Sequence, residues 1–144
     1  MRLYPPVLTA AAAGAMVALD RWAPWDRWWP HTWAGAVPAL LGLALVLWAA
    51  LLMRRRGTTL HPYSQASALV VTGPFRISRN PIYLGFGLVL AGLAVGLGSV
   101  SPWPVLALWG VLMDRLFARR EEDMLARTFG ADFAAYAQRV RRWL

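Results

Sequence analysis

Two short runs of this 144-residue chain concentrate the side chains able to do chemistry. In the first, residues 69–85 (LVVTGPFRISRNPIYLG), a β-branched start breaks at Gly73-Pro74, presents Arg76 and Arg79, breaks again at Asn80-Pro81 and then turns apolar. The second is the acidic triplet Glu121-Glu122-Asp123, set directly after Arg119 and Arg120. A guanidinium fork suits a carboxylate or a phosphate. Each group also has a plainer role. Arg76 and Arg79 stand at the mouth of an apolar segment, where lipid phosphates are ready partners. Asn80 fits the capping position of a helix whose first residue is Pro81. Glu121 and Glu122 balance the preceding arginines on a solvated turn. Asp114, the remaining acid near membrane depth, is expected to pair with a neighbouring arginine, although ionisable groups at that depth are often functional.

Other chemistries lack their residues. There is no cysteine, which removes disulfides, thiolate metal sites and a cysteine nucleophile together. His31 and His61 stand thirty positions apart without a partner at ligand spacing, so no metal site is expected. No Gly-rich phosphate loop or nucleophile elbow appears. An enzyme built on this chain would work through positioned polar groups, or through a cofactor that brings the reactive atom.

The elements that must position these residues read as membrane helices. A content of 58% hydrophobic and 15% charged residues exceeds what a small soluble domain carries, and the length suits one domain. Apolar runs at 3–19, 33–53, 82–98 and 103–117 predict an all-α polytopic bundle of about four transmembrane helices, with a loop at 54–81 and amphipathic helices at 118–144. The first run also has the charged start and small residues of a signal peptide, but Pro5-Pro6 and the aromatic loop that follows favour a retained span. In that loop Trp22, Trp25, Trp28, Trp29 and Trp33 read as an interfacial belt. Gly87 with Ala91, and Gly92 with Gly96, predict close helix approach within or between chains, which leaves the oligomeric state open.

The formal charge of +8 comes from fifteen arginines against seven acids. It is distributed as +1 at the N-terminus, 0 in the first outer loop, +5 over 54–80 and +2 from Asp114 onward. All the excess falls on one side, so both termini and both clusters are expected on the cytoplasmic face. The arginines lie at the ends of apolar runs, where they meet the bilayer, and no nucleic-acid partner is expected. In the tail, Met124, Leu125, Thr128 and Phe129 share a helical face, Gly130 is a natural stop, and Asp132 is placed to cap a second helix carrying Phe133, Tyr136, Ala137 and Val140. Arg139, Arg141, Arg142 and Trp143 read as an interfacial anchor.

The run GPFRISRNPIYLG, followed after two further spans by EEDMLARTFGADFAAYAQRV, resembles the signature of the integral-membrane methyltransferases that include isoprenylcysteine carboxyl methyltransferase and the phospholipid methyltransferases. Gly73, Phe75, Arg79, Asn80, Pro81, Tyr83, Gly85, Glu121, Glu122, Leu125, Phe129, Gly130, Phe133, Tyr136 and Val140 fall in register, and the similarity covers roughly residue 58 to the C-terminus. The resemblance implies S-adenosylmethionine as cofactor, in a cytoplasm-facing pocket touched by Ser67, Ala68, Leu69, Val70, Gly73, Phe75, Arg79, Asn80, Pro81, Ile82, Tyr83 and Glu121. Arg79, Asn80 and Glu121 would carry the catalytic role. The physics agrees: aromatic faces at Phe75 and Tyr83 attract a sulfonium, Arg79 suits the methionine carboxylate, Glu121 suits ribose hydroxyls or the amino group, and the backbone of 67–70 suits the adenine edge. Two positions depart from the isoprenylcysteine enzymes. Asn80 stands where they have histidine, as in many bacterial relatives, and Phe117 stands where they have an arginine for the substrate carboxylate, leaving Arg115, Arg119 and Arg120 as substitutes nearby.

The expectation is therefore methyl transfer to a lipid-soluble or amphiphilic acceptor, at the cytoplasmic face of a bacterial inner membrane. The acceptor atom stays open among amine, carboxylate, thiol and oxygen. A membrane NADPH-dependent reductase of the sterol-reductase group and a small non-enzymatic transporter are the alternatives. A transporter of that kind usually carries an acid deep within a span, which the first three runs lack.

Overall fold

The computed structural model describes residues 4–27, 33–58 and 67–144. Trp28, Trp29, His31 and His61 lie outside the described residues, as does Arg2. The order is α1 (Pro5–Trp22), a 3-10 turn (Trp33–Gly35), α2 (Ala36–Arg55), a 3-10 turn (Gly73–Arg76), α3 (Pro81–Leu97), α4 (Pro102–Met113), a π-helical segment (Asp114–Ala118) and α5 (Arg119–Arg139). The all-α expectation holds, with an isolated bridge between Arg27 and Ser99 as the one β-type pairing among the described residues.

Prolines open α1, α3 and α4 from their first turns, where the missing N–H costs nothing because no intrahelical acceptor exists there. Glycine closes α3 at Gly98, whose φ of 75° is open to a residue without Cβ. Helix α2 lies antiparallel on α3 through two glycine pairs. A Cβ on Gly42 would stand 2.4 Å from the carbonyl oxygen of Gly85, and one on Gly35 would stand 2.3 Å from that of Gly92. Backbones therefore touch at two points seven residues apart on each helix. The close approach expected of α3 is met by Gly92 and Gly96, which both face Gly35, whereas Gly87 faces the Trp109 ring.

Helix α1 packs on α4 and α3, where Trp109 Nε1 donates to Thr9 Oγ1 at 3.2 Å. At this interface Met16, Leu90, Ala94, Met113 and Phe117 form the main core. A second core gathers Ala49, Val70, Phe75, Phe133 and Tyr136. The end of the bundle where α1 finishes is stapled by Asp20, which accepts from Ser99 Oγ at 2.6 Å and meets Arg27 at 3.4 Å.

Among the described residues one helix, Trp33–Arg55 with its 3-10 lead-in, is long and apolar enough to cross a membrane. Pro81–Leu97 is apolar and shorter, and α4 alone, at 12 residues, rises only about 18 Å. The outward faces are nevertheless apolar. Leu40, Leu41, Leu43, Leu47, Trp48 and Leu51 are exposed along α2, and Val7, Val17, Leu108 and Val111 on α1 and α4. Trp22, Trp25 and Trp33 are exposed at the same end as Asp20, Trp33 by 85%.

The predicted boundary between the fourth run and the tail is absent. Helix α4 continues through the π segment straight into α5. Gly130 does break the helix, with φ 50° and ψ −117°, but the second part resumes without a capping hydrogen bond from Asp132, which is exposed.

Candidate active site

A cavity of about 490 Å³ lies where the turn before α3 meets the start of α5. Its polar end presents Phe75, Arg79, Asn80, Tyr83, Glu121, Glu122 and Tyr136. Its remaining wall is apolar, from Val7 on α1, Val46 and Met53 on α2, Phe86 on α3, and Met124 and Leu125 on α5. The turn is held rigidly. Ser78, fully buried, donates to the Arg142 carbonyl at 2.8 Å and accepts from the Asn80 N–H at 3.1 Å. Tyr136 donates to the Phe75 carbonyl at 2.7 Å, and burial pushes its hydroxyl up to about 12, so it remains a donor.

Glu122 is the centre of the polar end. Arg79 meets it through Nε to Oε1 at 3.1 Å and Nη2 to Oε2 at 3.0 Å. Arg142 meets the same oxygens at 2.9 and 2.8 Å, and Asn80 Nδ2 donates to Oε1 at 3.4 Å. Burial alone would raise this carboxyl, but the hydrogen bonds and charges of Arg142 and Arg79 hold it below the ordinary glutamate value. Arg79 Nη1 further donates to the carbonyls of Ala137 and Val140, each at 3.0 Å. Four of the five guanidinium N–H groups are thereby committed within the protein. In this arrangement the Arg79 fork, expected to suit the methionine carboxylate, grips Glu122. Asn80 likewise occupies the capping position of α3 without a capping hydrogen bond, its amide being turned toward Glu122 and the Arg142 carbonyl. The plainer role of Glu122, local balance with Arg119 and Arg120, gives way to these distant partners, while Arg119 pairs instead with Asp114 at 2.7 Å.

Glu121 differs in kind. It lines the cavity, accepts a short hydrogen bond from the Tyr83 hydroxyl, and among the described residues has no arginine partner. Burial pushes its carboxyl up to about 7, helped by the neighbouring Glu122 charge and opposed by the Tyr83 hydrogen bond. The folded chain thus holds a proton on Glu121 that the unfolded chain has released. Between the ordinary value of 4.5 and about 7 the unfolded state binds fewer protons, so stability falls as pH rises through that window. The unliganded protein is expected to melt at lower temperature at pH 8 than at pH 5, and Glu121→Gln to flatten that slope, as thermal unfolding in detergent at a series of pH values would read out.

Of the predicted site residues, Phe75, Arg79, Asn80, Pro81, Ile82, Tyr83 and Glu121 line the cavity. Ser67, Ala68, Leu69, Val70 and Gly73 do not. Ser67 Oγ donates to the Gly57 carbonyl at 2.7 Å, Leu69 and Val70 pack in the second core, and Gly73, at φ 59°, turns the chain against Leu52 and Trp48. Phe117 is buried beside Tyr83, ring centroids 6.3 Å apart, and supports the wall from behind. Arg115 is exposed outside the cavity, and Arg120 borders a shallow depression with Asp123 and Arg127. The roles of Glu122 and Arg142 were not anticipated. Glu122 was in register with the signature, which was the signal available; Arg142 had none.

The phospholipid methyltransferase family profile matches residues 30–132. Among characterised sequences, the nickel-cobalt-cadmium resistance protein NccN of Alcaligenes xylosoxydans xylosoxydans is 31% identical over 119 residues, covering 78% of this chain and 52% of that protein. The cobalt-zinc-cadmium resistance protein CzcN of Cupriavidus metallidurans is 32% identical over 119 residues, 78% of this chain and 51% of its own. An uncharacterized protein of Haemophilus influenzae is 32% identical over 63 residues, 44% of this chain and all of that one. The chain spans about half the length of the two metal-resistance proteins. No solved structure matches. The matched residues run from before α2 to beyond the kink of α5 and include the turn before α3 and the first turn of α5, which meet at the cavity, and the chain belongs to the phospholipid methyltransferase family.

Proposed function

We propose that this protein transfers a methyl group from S-adenosylmethionine to a lipid-soluble or amphiphilic acceptor at the cytoplasmic face of a membrane. The observation that carries the reading is the composition of the cavity. Three aromatic rings and the carboxyl of Glu121, without an arginine partner among the described residues, stand at its polar end, and apolar side chains from four helices form the rest. S-adenosylmethionine supplies, when bound, a methyl group activated on a sulfonium. Phe75 and Tyr83 offer faces that attract such a cation. Glu121 offers a carboxylate oxygen for an ammonium or for ribose hydroxyls, and Tyr83 holds that carboxylate in place. The apolar wall excludes water and leaves the acceptor to be aligned by shape, so proximity supplies much of the acceleration.

The exposed apolar faces of α1, α2 and α4 support insertion of the whole bundle in the bilayer. Arg54, Arg55 and Arg56 at the end of α2 support a cytoplasmic site. Helix α1 contributes its first turn to the cavity and α2 its last two turns, which brings the apolar acceptor from the lipid side. Membership of a methyltransferase family favours this chemistry over the reductase and transporter alternatives.

Titration of detergent-solubilised protein with S-adenosylhomocysteine in a calorimeter is expected to show micromolar binding, weakened about tenfold or more by Glu121→Ala, the loss of one charged hydrogen-bond partner. Absence of binding to folded protein, or an unchanged affinity in the variant, would overturn the reading. Incubation of membranes with methyl-labelled cofactor then identifies the acceptor from the labelled product.

A further inference from the structure

The polar end of the cavity is assembled by a segment that never enters it. After α5 the chain becomes extended at Val140, with φ −124° and ψ 129°, and runs back across the turn that precedes α3. The Arg79 N–H donates to the Arg141 carbonyl at 3.0 Å. The Arg142 carbonyl accepts from Ser78 Oγ at 2.8 Å and from Asn80 Nδ2 at 3.4 Å. The Arg142 side chain then turns the other way, onto both Glu122 oxygens and onto Asp114 Oδ1 at 3.2 Å. Trp143 donates its indole N–H to the same Asp114 oxygen at 3.2 Å and packs against the main core.

We infer that Arg142 is a positioning residue for the cofactor pocket, acting through Glu122 and the 78–80 turn. One residue joins the turn carrying Arg79 and Asn80 to the π segment and the first turn of α5, which lie more than thirty positions further along the chain. Its backbone fixes the height of the turn, and its guanidinium fixes the roll of α5 about its axis by holding Glu122. Glu121 is the next residue on that helix, so the direction in which its carboxylate faces Tyr83 follows from the grip on Glu122. Arg142 itself does not line the cavity, and it lies beyond the residues that the family profile matches. Lysine cannot reproduce the grip, because an ammonium is a single point of contact where the guanidinium offers a planar fork.

The inference rests on the cofactor reading above, and the test separates the two. Binding of S-adenosylhomocysteine to wild-type, Arg142→Lys and Arg142→Gln protein is measured by calorimetry well below the melting temperature of each variant. A residue that merely stabilises the fold would lower melting temperature and leave the affinity of folded protein intact. Arg142→Gln is expected to weaken binding about tenfold, the loss of one charge-assisted contact, with Arg142→Lys recovering part of it. Hydrogen exchange is expected to show the Arg79 amide losing protection in both. An affinity for folded Arg142→Gln within about twofold of wild type, less than the smallest charged contact, overturns the inference and leaves the cofactor reading standing. Should the glutamine variant not fold, the same result for Arg142→Lys does so. A wild-type chain that binds no S-adenosylhomocysteine overturns both.

Discussion

Glu122→Ala is expected to destabilise the protein by about 3–5 kcal/mol, the cost of removing one partner from a buried ion cluster. The size follows from what is left behind. The Arg79 side chain is 13% exposed and that of Arg142 29% exposed, and each directs two N–H groups at this carboxylate. Without it, two guanidinium groups stand close together in a poorly solvated site, where Asp114 can reach only Arg142. The loss is comparable with the whole stability of many small domains. Thermal or denaturant unfolding in detergent would measure it. The neighbouring Asp123→Ala serves as comparison, because Asp123 is exposed and such a surface change stays within about 0.5 kcal/mol. Equal effects at the two positions would show that the cluster contributes nothing particular.

The second large effect is expected at the α2–α3 seam. A methyl group on Gly42 would lie 2.4 Å from the Gly85 carbonyl oxygen and 2.8 Å from the Val89 nitrogen. Both are backbone atoms, which cannot swing aside as a side chain does, so the helices must part. Overpacking of this kind costs about 1–3 kcal/mol, and parting the helices also widens the cavity at Val46 on α2 and Phe86 on α3. Gly42→Ala is therefore expected to lower both the melting temperature and the affinity for S-adenosylhomocysteine. Gly14→Ala and Gly110→Ala are the contrast. Nothing lies within 4 Å of a Cβ at either position, and within a helix alanine is favoured over glycine by about 1 kcal/mol, so these variants should melt no lower than the wild type.

The helices were legible because their signals are local. Apolar runs, Pro at helix starts and Gly98 at an end say where a helix lies without reference to anything distant. The signature from Gly73 to Gly85, with Glu121, likewise marked the elements that meet at the cavity. What it did not give was the partner of each charge. Arg79 was read toward a ligand carboxylate because a guanidinium fork suits one, and Glu122 reaches it from 43 positions away along the chain. The reason lies in the π segment at Asp114–Ala118. Each π turn takes one residue more than an α turn, so everything after it is rotated by about 100° relative to the count from α4. Counting by 3.6 along the helix could not say which of Glu121 and Glu122 faces Tyr83 and which faces Arg79. Arg142 was read as a membrane anchor for a related reason. Its contacts depend on the chain reversing at Val140, and extended backbone carries no periodic mark. The residues 67–70 were placed at the cofactor by the resemblance, through their backbone, and of their side chains Leu69 and Val70 pack in the second core.

Because backbone meets backbone at Gly35–Gly92 and again at Gly42–Gly85, α2 and α3 form one stiff plank with two rivets. Sliding or rolling either helix would drive a carbonyl into its neighbour at both points. Any breathing of the cavity must then come from its other two walls. These are the first turn of α1 and α5, the latter already broken at Gly130. On the proposed function, the sizes of acceptor that fit would be set by how far those two walls yield, with the plank as the fixed jaw against which they close.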